Sequence, residues 1–447
     1  MRIAFLRKIK NKIIFSARQF IFRLEKRFPI IGKPLVAVWR LLCALKFITE
    51  KRALKIKAKI DYGSNAPDLD KIYLVSPQKI EFCLSAPFNK WRNYGKILAG
   101  DWDKLGPKFE ELDSYKAIQQ RFLEGKKWEE TEFYKRILGY IANGEVNRGC
   151  KNKEELDERF KNIDLLYSRI KKNGYKSKEE LHSPEGWLGK LEKSSAVLDD
   201  VSVAVGRTGQ LLFIDGRHRL AIAKLLNIPE IPVRIIARHA EWMNFKRELI
   251  TFSKNYQGGQ LYQPLTHPDL QDIPHRREDL RFKIIKDNLS LENKTLLDIG
   301  ANLGYFCHKF EEEGFHCYAL EENRMCLYFL RKLKKAENRR FEIIPESLFE
   351  YKSNQEVVFD VVLALSIFHH FLESKDSYSN LIKFLQKLKV RELFFESYLP
   401  KEFGSRPFYK SYAPDQFVNF IIENSCFKKA EFIGNSEEGR PIYKLIS

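Results

Sequence analysis

From residue 295 onward, short and almost wholly apolar runs alternate with longer stretches in which apolar residues recur every third or fourth position. Thr295 to Ile299, His316 to Leu320, Phe341 to Ile344, Phe359 to Leu365 and Glu392 to Glu396 read as buried strands, with helices running to Glu313, to Lys335 and through Leu388. Strands without an exposed face, separated by helices, predict a doubly wound, mostly parallel sheet covered on both sides. Upstream the pattern is strand, turn, strand over Val201 to Val205 and Leu211 to Ile214. A helix through Leu226, stopped by Asn227 and Pro229, and a strand from Pro232 to Ala237 follow, which predicts a smaller α+β unit.

The segments Leu112 to Ile141 and Lys153 to Lys172 carry helical periodicity, the second placing Leu156, Phe160, Ile163, Leu166 and Ile170 on one face. Asp61 to Pro87 reads as turns and loops, punctuated by Gly63, Pro67, Pro77 and Pro87. The expected organisation is therefore an arm over 1–60, a mainly helical region over 61–182, the small α+β domain over 183–257 and the α/β domain over 258–447. A length of 447 residues, with 44% hydrophobic and 31% charged residues, suits several packed domains and excludes a disordered chain.

Charge changes the picture of the arm. Residues 1–60 hold seventeen Lys or Arg against Glu25 and Glu50, which accounts for most of the net +19 and leaves the remainder nearly neutral. Ile3, Phe5, Leu6, Ile9, Ile13, Ile14, Phe15, Phe20, Ile21, Phe22 and Leu24 recur between these charges, the mark of basic amphipathic helices that seek an anionic membrane surface. Nucleic acid is the alternative partner. Leu35 to Thr49 is broken by Arg40 and Lys46, short of the roughly 18 uncharged residues that span a bilayer. No signal peptide is evident, so the expected address is the cytoplasm, peripheral at the inner membrane face. The seven cysteines are scattered and never spaced as CxxC, which suggests neither a disulfide framework nor a metal site.

The first strand of the α/β domain runs into Asp298, Gly300, Asn302 and Gly304 and then a helix. Two glycines let the backbone turn sharply and approach a ligand, and the helix start offers free N–H groups. Glu321 ends the next strand, where a carboxylate can accept hydrogen bonds from a ribose diol. Over roughly residues 280–447 this resembles the class I S-adenosylmethionine-dependent methyltransferases, a Rossmann-like fold. The resemblance implies that Asp298 and the Gly300–Gly304 backbone hold the methionine part of S-adenosyl-L-methionine, with Asn302 in that loop, that Glu321 holds the ribose, and that Glu346 and Ser347 contact adenine. The fourth strand delivers Ser366, His369 and His370 to the same edge. An imidazole there suits acceptance of a proton from a hydroxyl, so His369 and His370 are the candidate catalytic residues and Ser366 a cofactor contact. No NPPY or DPPY tetrapeptide follows this strand, which disfavours base methylation.

In the smaller domain, Asp215, Gly216, Arg217, His218 and Arg219 precede a helix, gathering two guanidiniums and an imidazole at a helix start. This segment resembles the ParB and sulfiredoxin superfamily, and the resemblance implies binding of a nucleotide or sugar phosphate. Arg217 stands where a sulfiredoxin needs its cysteine, which disfavours peroxiredoxin repair. The whole reads as a methyltransferase, with O-methylation of a saccharide or of a phosphorylated or lipid-linked glycan expected. A nucleic-acid-binding or modifying protein and a bifunctional small-molecule kinase and methyltransferase are the alternatives.

Overall fold

In the computed structural model the described residues are 51–63, 66–176, 200–290, 294–351, 355–399 and 408–447, with positions 34, 38 and 49. Most of the basic arm, including every apolar position named in residues 3–24, lies outside them. Two units emerge, 1–206 with 211–240, and 207–210 with 241–447.

The first unit is built on a seven-stranded sheet. Its strands are β1 Tyr73–Val75, β2 Phe82–Leu84, β3 Lys96–Leu98, β4 Leu105–Lys108, β5 Val201–Val205, β6 Leu211–Asp215 and β7 Ile231–His239. The order is β1-β7-β5-β6-β2-β4, with β3 also paired to β7. The expected boundary between a helical region and a separate α+β domain is therefore corrected: four short strands from 73–108 belong to the same sheet as β5 to β7. Helices α1 Asp113–Phe122, α2 Glu132–Ala142 and α3 Lys153–Asn173 pack with one another and on α4 Arg217–Leu225, which follows β6 and contacts β5. Gly125, at φ 73°, breaks the segment read as one helical stretch between α1 and α2. On α3 the Asn152 side chain accepts from Glu155 N at 2.9 Å as the cap, and Leu156, Phe160, Ile163 and Ile170 are buried as their spacing predicts. Gly216 starts α4 at φ 91°, and a Cβ there would lie 2.8 Å from the Val201 backbone, so a side chain at this corner meets both strain and collision.

The second unit contains α5 Ala240–Tyr256 from Glu241 on, so the junction falls before that helix and not after residue 257. Its helices continue as α6 Leu280–Asp287, α7 Tyr305–Glu312, α8 Arg324–Ala336, α9 Lys375–Lys387 and α10 Pro414–Glu423. Its strands are β8 Thr295–Ile299, β9 His316–Leu320, β10 Glu342–Ile344, β11 Val357–Leu365, β12 Leu388–Glu396, β13 Lys429–Asn435 and β14 Pro441–Ile446, in the order β10-β9-β8-β11-β12-β14-β13. Strands β8 to β12 are parallel, while β14 runs antiparallel to β12 and β13 antiparallel to β14. This is the expected doubly wound, mostly parallel α/β sheet, with a terminal hairpin that the alternation did not announce.

Adjacent residues of one strand point to opposite faces, and the core divides accordingly. Leu296, Val361 and Phe394 pack with Phe306 and Phe310, whereas Leu297, Val362 and Phe395 pack with Leu381 and Phe384. Helix α8 buries Cys326, Leu327, Phe329, Leu330, Leu333 and Ala336, and Asn323 caps it by accepting from Met325 N at 2.9 Å. Each such fully buried Leu or Phe contributes about 1.5–3 kcal/mol. The chain passes from β8 through β9 to β10 on one side, then returns to β11 beside β8. A crevice must open between diverging loops at such a reversal, outside the carboxyl ends of the strands.

Candidate functional site

The crevice is there, with a volume of about 410 Å³ and a lining that includes Gly300, Asn302, Glu321, Glu346, Ser366, His369 and His370. After β8 the chain takes up left-handed φ at Gly300 (71°), Asn302 (54°) and Gly304 (84°) before α7 begins. Gly300 N and Ala301 N both donate to Leu320 O, at 2.9 and 3.0 Å, which ties the loop to the end of β9. A Cβ on Gly300 would meet Ile367 across the crevice, and one on Gly304 would run into Leu330 of α8. The first glycine thus keeps the crevice open, and the second lets two helices pack.

Glu321 braces this corner. Its Oε2 accepts from Asn302 N and its Oε1 from Asn323 N, both at 2.8 Å, so one carboxylate fixes the loop after β8 and the start of α8. Burial raises its pKa while these backbone donors pull it down. Asp298 lies deeper, 3% exposed, with Oδ2 buried and without a hydrogen-bond partner. Burial pushes its pKa up to about 8, opposed by Arg281 and reinforced by Glu321. Asn302 Oδ1 is a second buried acceptor without a partner. An acidic, acceptor-rich corner of this kind calls for a ligand that brings N–H and O–H donors.

On the other side of the crevice, Ser366 follows β11 with φ 57° and donates to Glu396 at the end of β12. Glu396 is wholly buried and accepts from Arg277 Nη1 at 2.9 Å and Arg281 Nη1 at 3.1 Å. Burial raises its pKa, but Arg281, Arg277 and hydroxyl donors outweigh that and hold it below the usual range. Arg440 donates to Ser366 Oγ at 2.6 Å, and the Tyr262 ring lies under the Arg277 guanidinium with its centroid 4.6 Å away. His369 is buried and His370 more exposed, their rings 4.2 Å apart, with Glu373 3.9 Å from His370 Nδ1. Burial, then His370 and Arg440, lower the His369 pKa to about 3. Burial also lowers that of His370, against the pull of Glu373.

Most of the sequence-derived residues of this domain therefore converge on one crevice. Asp298 and Gly304 sit behind its wall. Ser347 is not among the lining residues: its hydroxyl donates to Glu350 at 2.9 Å and accepts from Glu350 N, a closed local turn. Arg277, Arg281, Glu396, Tyr262 and Arg440 were missed by the sequence reading. The i, i+4 spacing of the two arginines and a lone acid ending an apolar strand were their only signals.

In the first unit the five-residue segment splits. Asp215 is exposed and paired with Lys90, and its Oδ1 accepts from Gly216 N at 2.8 Å. Arg219 is buried, bonded to Asp200 at 2.7 Å and stacked on Tyr175. It is not among the residues lining the separate cavity of about 740 Å³ that His218 shares with Arg148 and Arg159. Among the described residues there is no group of His, Cys, Asp and Glu able to hold a metal, and no helix long and apolar enough to cross a membrane.

No family profile and no curated protein matches the chain. Among solved structures, the bifunctional kinase-methyltransferase WbdD is similar at 21% identity over 44% of this chain and 45% of that one, with a TM-score of 0.35. This chain thus spans under half the length of that relative. A SAM-dependent methyltransferase from Archaeoglobus fulgidus is 20% identical over 38% of this chain and 91% of that one, with a TM-score of 0.29.

Proposed function

We propose that the second unit is an S-adenosylmethionine-dependent methyltransferase that methylates a hydroxyl of a saccharide or of a phosphorylated or lipid-linked glycan. The observation that carries this reading is the corner of Asp298, Asn302 and Glu321, three acceptor side chains around left-handed backbone at the reversal of strand order. Its fit to the cofactor rests on Asn302 Oδ1, a lining acceptor without a partner that matches an amino group, and on Glu321, which has lone pairs left for ribose hydroxyls, with Asp298 buried behind them. Glu346 and Leu348, past β10, would flank the adenine. The cofactor supplies a methyl group made electrophilic by its sulfonium.

The protein's part is to place the acceptor hydroxyl and take its proton. A neutral imidazole at His369 or His370 accepts that proton at a ring nitrogen as the oxygen gains its methyl bond. His370 is the better placed of the two, because Glu373 can stabilise the imidazolium, whereas His369 is ringed by Arg440 and His370. Arg440, held by Ser366 and paired with Glu438 at 3.4 Å, adds a guanidinium to the crevice lining that suits a phosphorylated acceptor. Of the loop 215–219, Arg217 and His218 read as a phosphate-binding element in an accessory ParB-like domain, since Asp215 is paired with Lys90 and Arg219 with Asp200, and the basic arm 1–60 would hold the protein at an anionic membrane.

Calorimetry with S-adenosylhomocysteine tests the reading. The wild type binds, and Glu321→Ala loses about 1.5–3 kcal/mol of charge-assisted hydrogen bonding, roughly a tenfold to hundredfold weaker Kd. Unchanged affinity in the variant would remove the cofactor site from this corner.

A further inference from the structure

We propose that the first unit holds a binding pocket for a phosphate monoester dianion, formed by Arg148 and Arg159 together with Arg217 and His218. This rests on the reading of the 215–219 loop as phosphate-binding and adds to it two arginines from elsewhere in the chain, together with the charge state of the ligand.

Arg148 lies in the loop before α3, at φ 52°, and Arg159 in the second turn of that helix. With His218 they line the same cavity, and Arg217, the residue before His218 at the start of α4, lies outside that lining but its charge acts on both His218 and Arg148. Arg159 Nη1 donates to Arg148 O at 3.1 Å, which locks the two segments together. The Nε atoms of Arg159 and Arg217 are buried without a partner. Three other arginines of this unit are matched: Arg219 with Asp200, Arg121 with Asp164, Arg136 with Asp113. Among the described residues, Arg148, Arg159 and Arg217 make no ion pair with a carboxylate.

The electrostatics agree with the geometry. Burial lowers the His218 pKa to about 4, followed by the charges of Arg159, Arg217 and Arg148, with no carboxylate among its causes. Arg148 feels burial and then Arg217, Arg159 and Arg136, and the one acid acting on it, Asp113, is already bonded to Arg136 at 2.7 Å. Three acids also line the cavity. Glu154 and Glu158 are exposed, and Glu155 accepts from Lys151 N at 2.8 Å. Guanidiniums crowded around a neutral imidazole repel one another until an anion enters, and a dianion with several acceptor oxygens relieves the most repulsion. The cavity has room for an organic group beyond the phosphate.

The probe is inorganic phosphate, added to the full chain at constant ionic strength and followed by phosphorus NMR line broadening. The wild type should broaden the line saturably, and R148Q/R159Q should raise the apparent Kd at least tenfold. R217Q separates the two readings. Loss of binding in R217Q with unchanged binding in R148Q/R159Q overturns this pocket and leaves the loop reading standing, whereas no saturable broadening by the wild type overturns both. If R148Q/R159Q unfolds, the wild-type His218 C2–H resonance, assigned by difference from H218Q, decides. Its titration midpoint should rise by a unit or more when phosphate is added, and an unmoved midpoint rejects the pocket.

Discussion

Replacing Asp298 by asparagine would remove a carboxyl that the fold buries with one oxygen lacking a partner. In the unfolded chain this group titrates near 3.8. In the folded protein burial, opposed by Arg281 and aided by Glu321, pushes it up to about 8. A raised folded-state pKa favours folding most below the unfolded value, and that contribution is lost as the pH rises toward the folded value. Between the unfolded pKa and pH 7 lie roughly three units, each about 1.36 kcal/mol, so the wild type gives up about 4 kcal/mol over that range from this one group. The amide of the D298N variant cannot titrate. Calorimetric unfolding of both proteins from pH 4 to 8 should therefore show the wild type losing stability relative to D298N by about 1.4 kcal/mol per pH unit, levelling off near pH 8. On the proposed cofactor reading, the relevant transition is the one that S-adenosylhomocysteine would shift upward. Parallel stability profiles for the two proteins across that range would refute the buried, protonated state of Asp298.

Two further outcomes follow from the other side of the crevice. His370→Ala should lower methyl transfer to a hydroxyl acceptor roughly a hundredfold while S-adenosylhomocysteine affinity stays within a factor of two, and equal turnover would return His370 to a packing role. Glu396→Gln, which leaves Arg277 and Arg281 buried against a neutral amide, should cost about 3–5 kcal/mol in denaturant unfolding near neutral pH. Because the pairing lowers the Glu396 pKa, that difference should shrink as the pH falls from the unfolded carboxyl value of 4.5 through the lower folded value, and a constant difference down to acid pH would contradict the pairing.

The parts of the site legible in the sequence are those whose chemistry lies on contiguous residues. β8 and β9 occupy the expected spans, and Asp298, Gly300 and Glu321 sit at their ends because a buried parallel strand has one pattern and its carboxyl end one location. Ser347 follows the same logic of position, but its hydroxyl has a nearer partner in Glu350. Glu396 with Arg277 and Arg281 was invisible for a different reason: packing joins groups more than a hundred residues apart, and no periodicity reports that. The strands between 73 and 108 escaped because three or four residues are too few for an alternation to register. In the first unit, a lone arginine in a charge-rich helix looks like any solvated side chain, which hid Arg159.

The reversal of strand order also divides the labour of the second unit. Everything read as gripping the cofactor, from Asp298 to Leu348, hangs from β8, β9 and β10, whereas His369, Ser366, Glu396 and Arg440 hang from β11, β12 and the turn between β13 and β14. Within the sheet the two halves join at the β8 and β11 pairing. On the proposed reading, the acceptor half, down to the hairpin of β13 and β14, could be rewritten while the half assigned to the cofactor is left alone. One scaffold is thereby free to acquire new substrates without having to relearn its reagent.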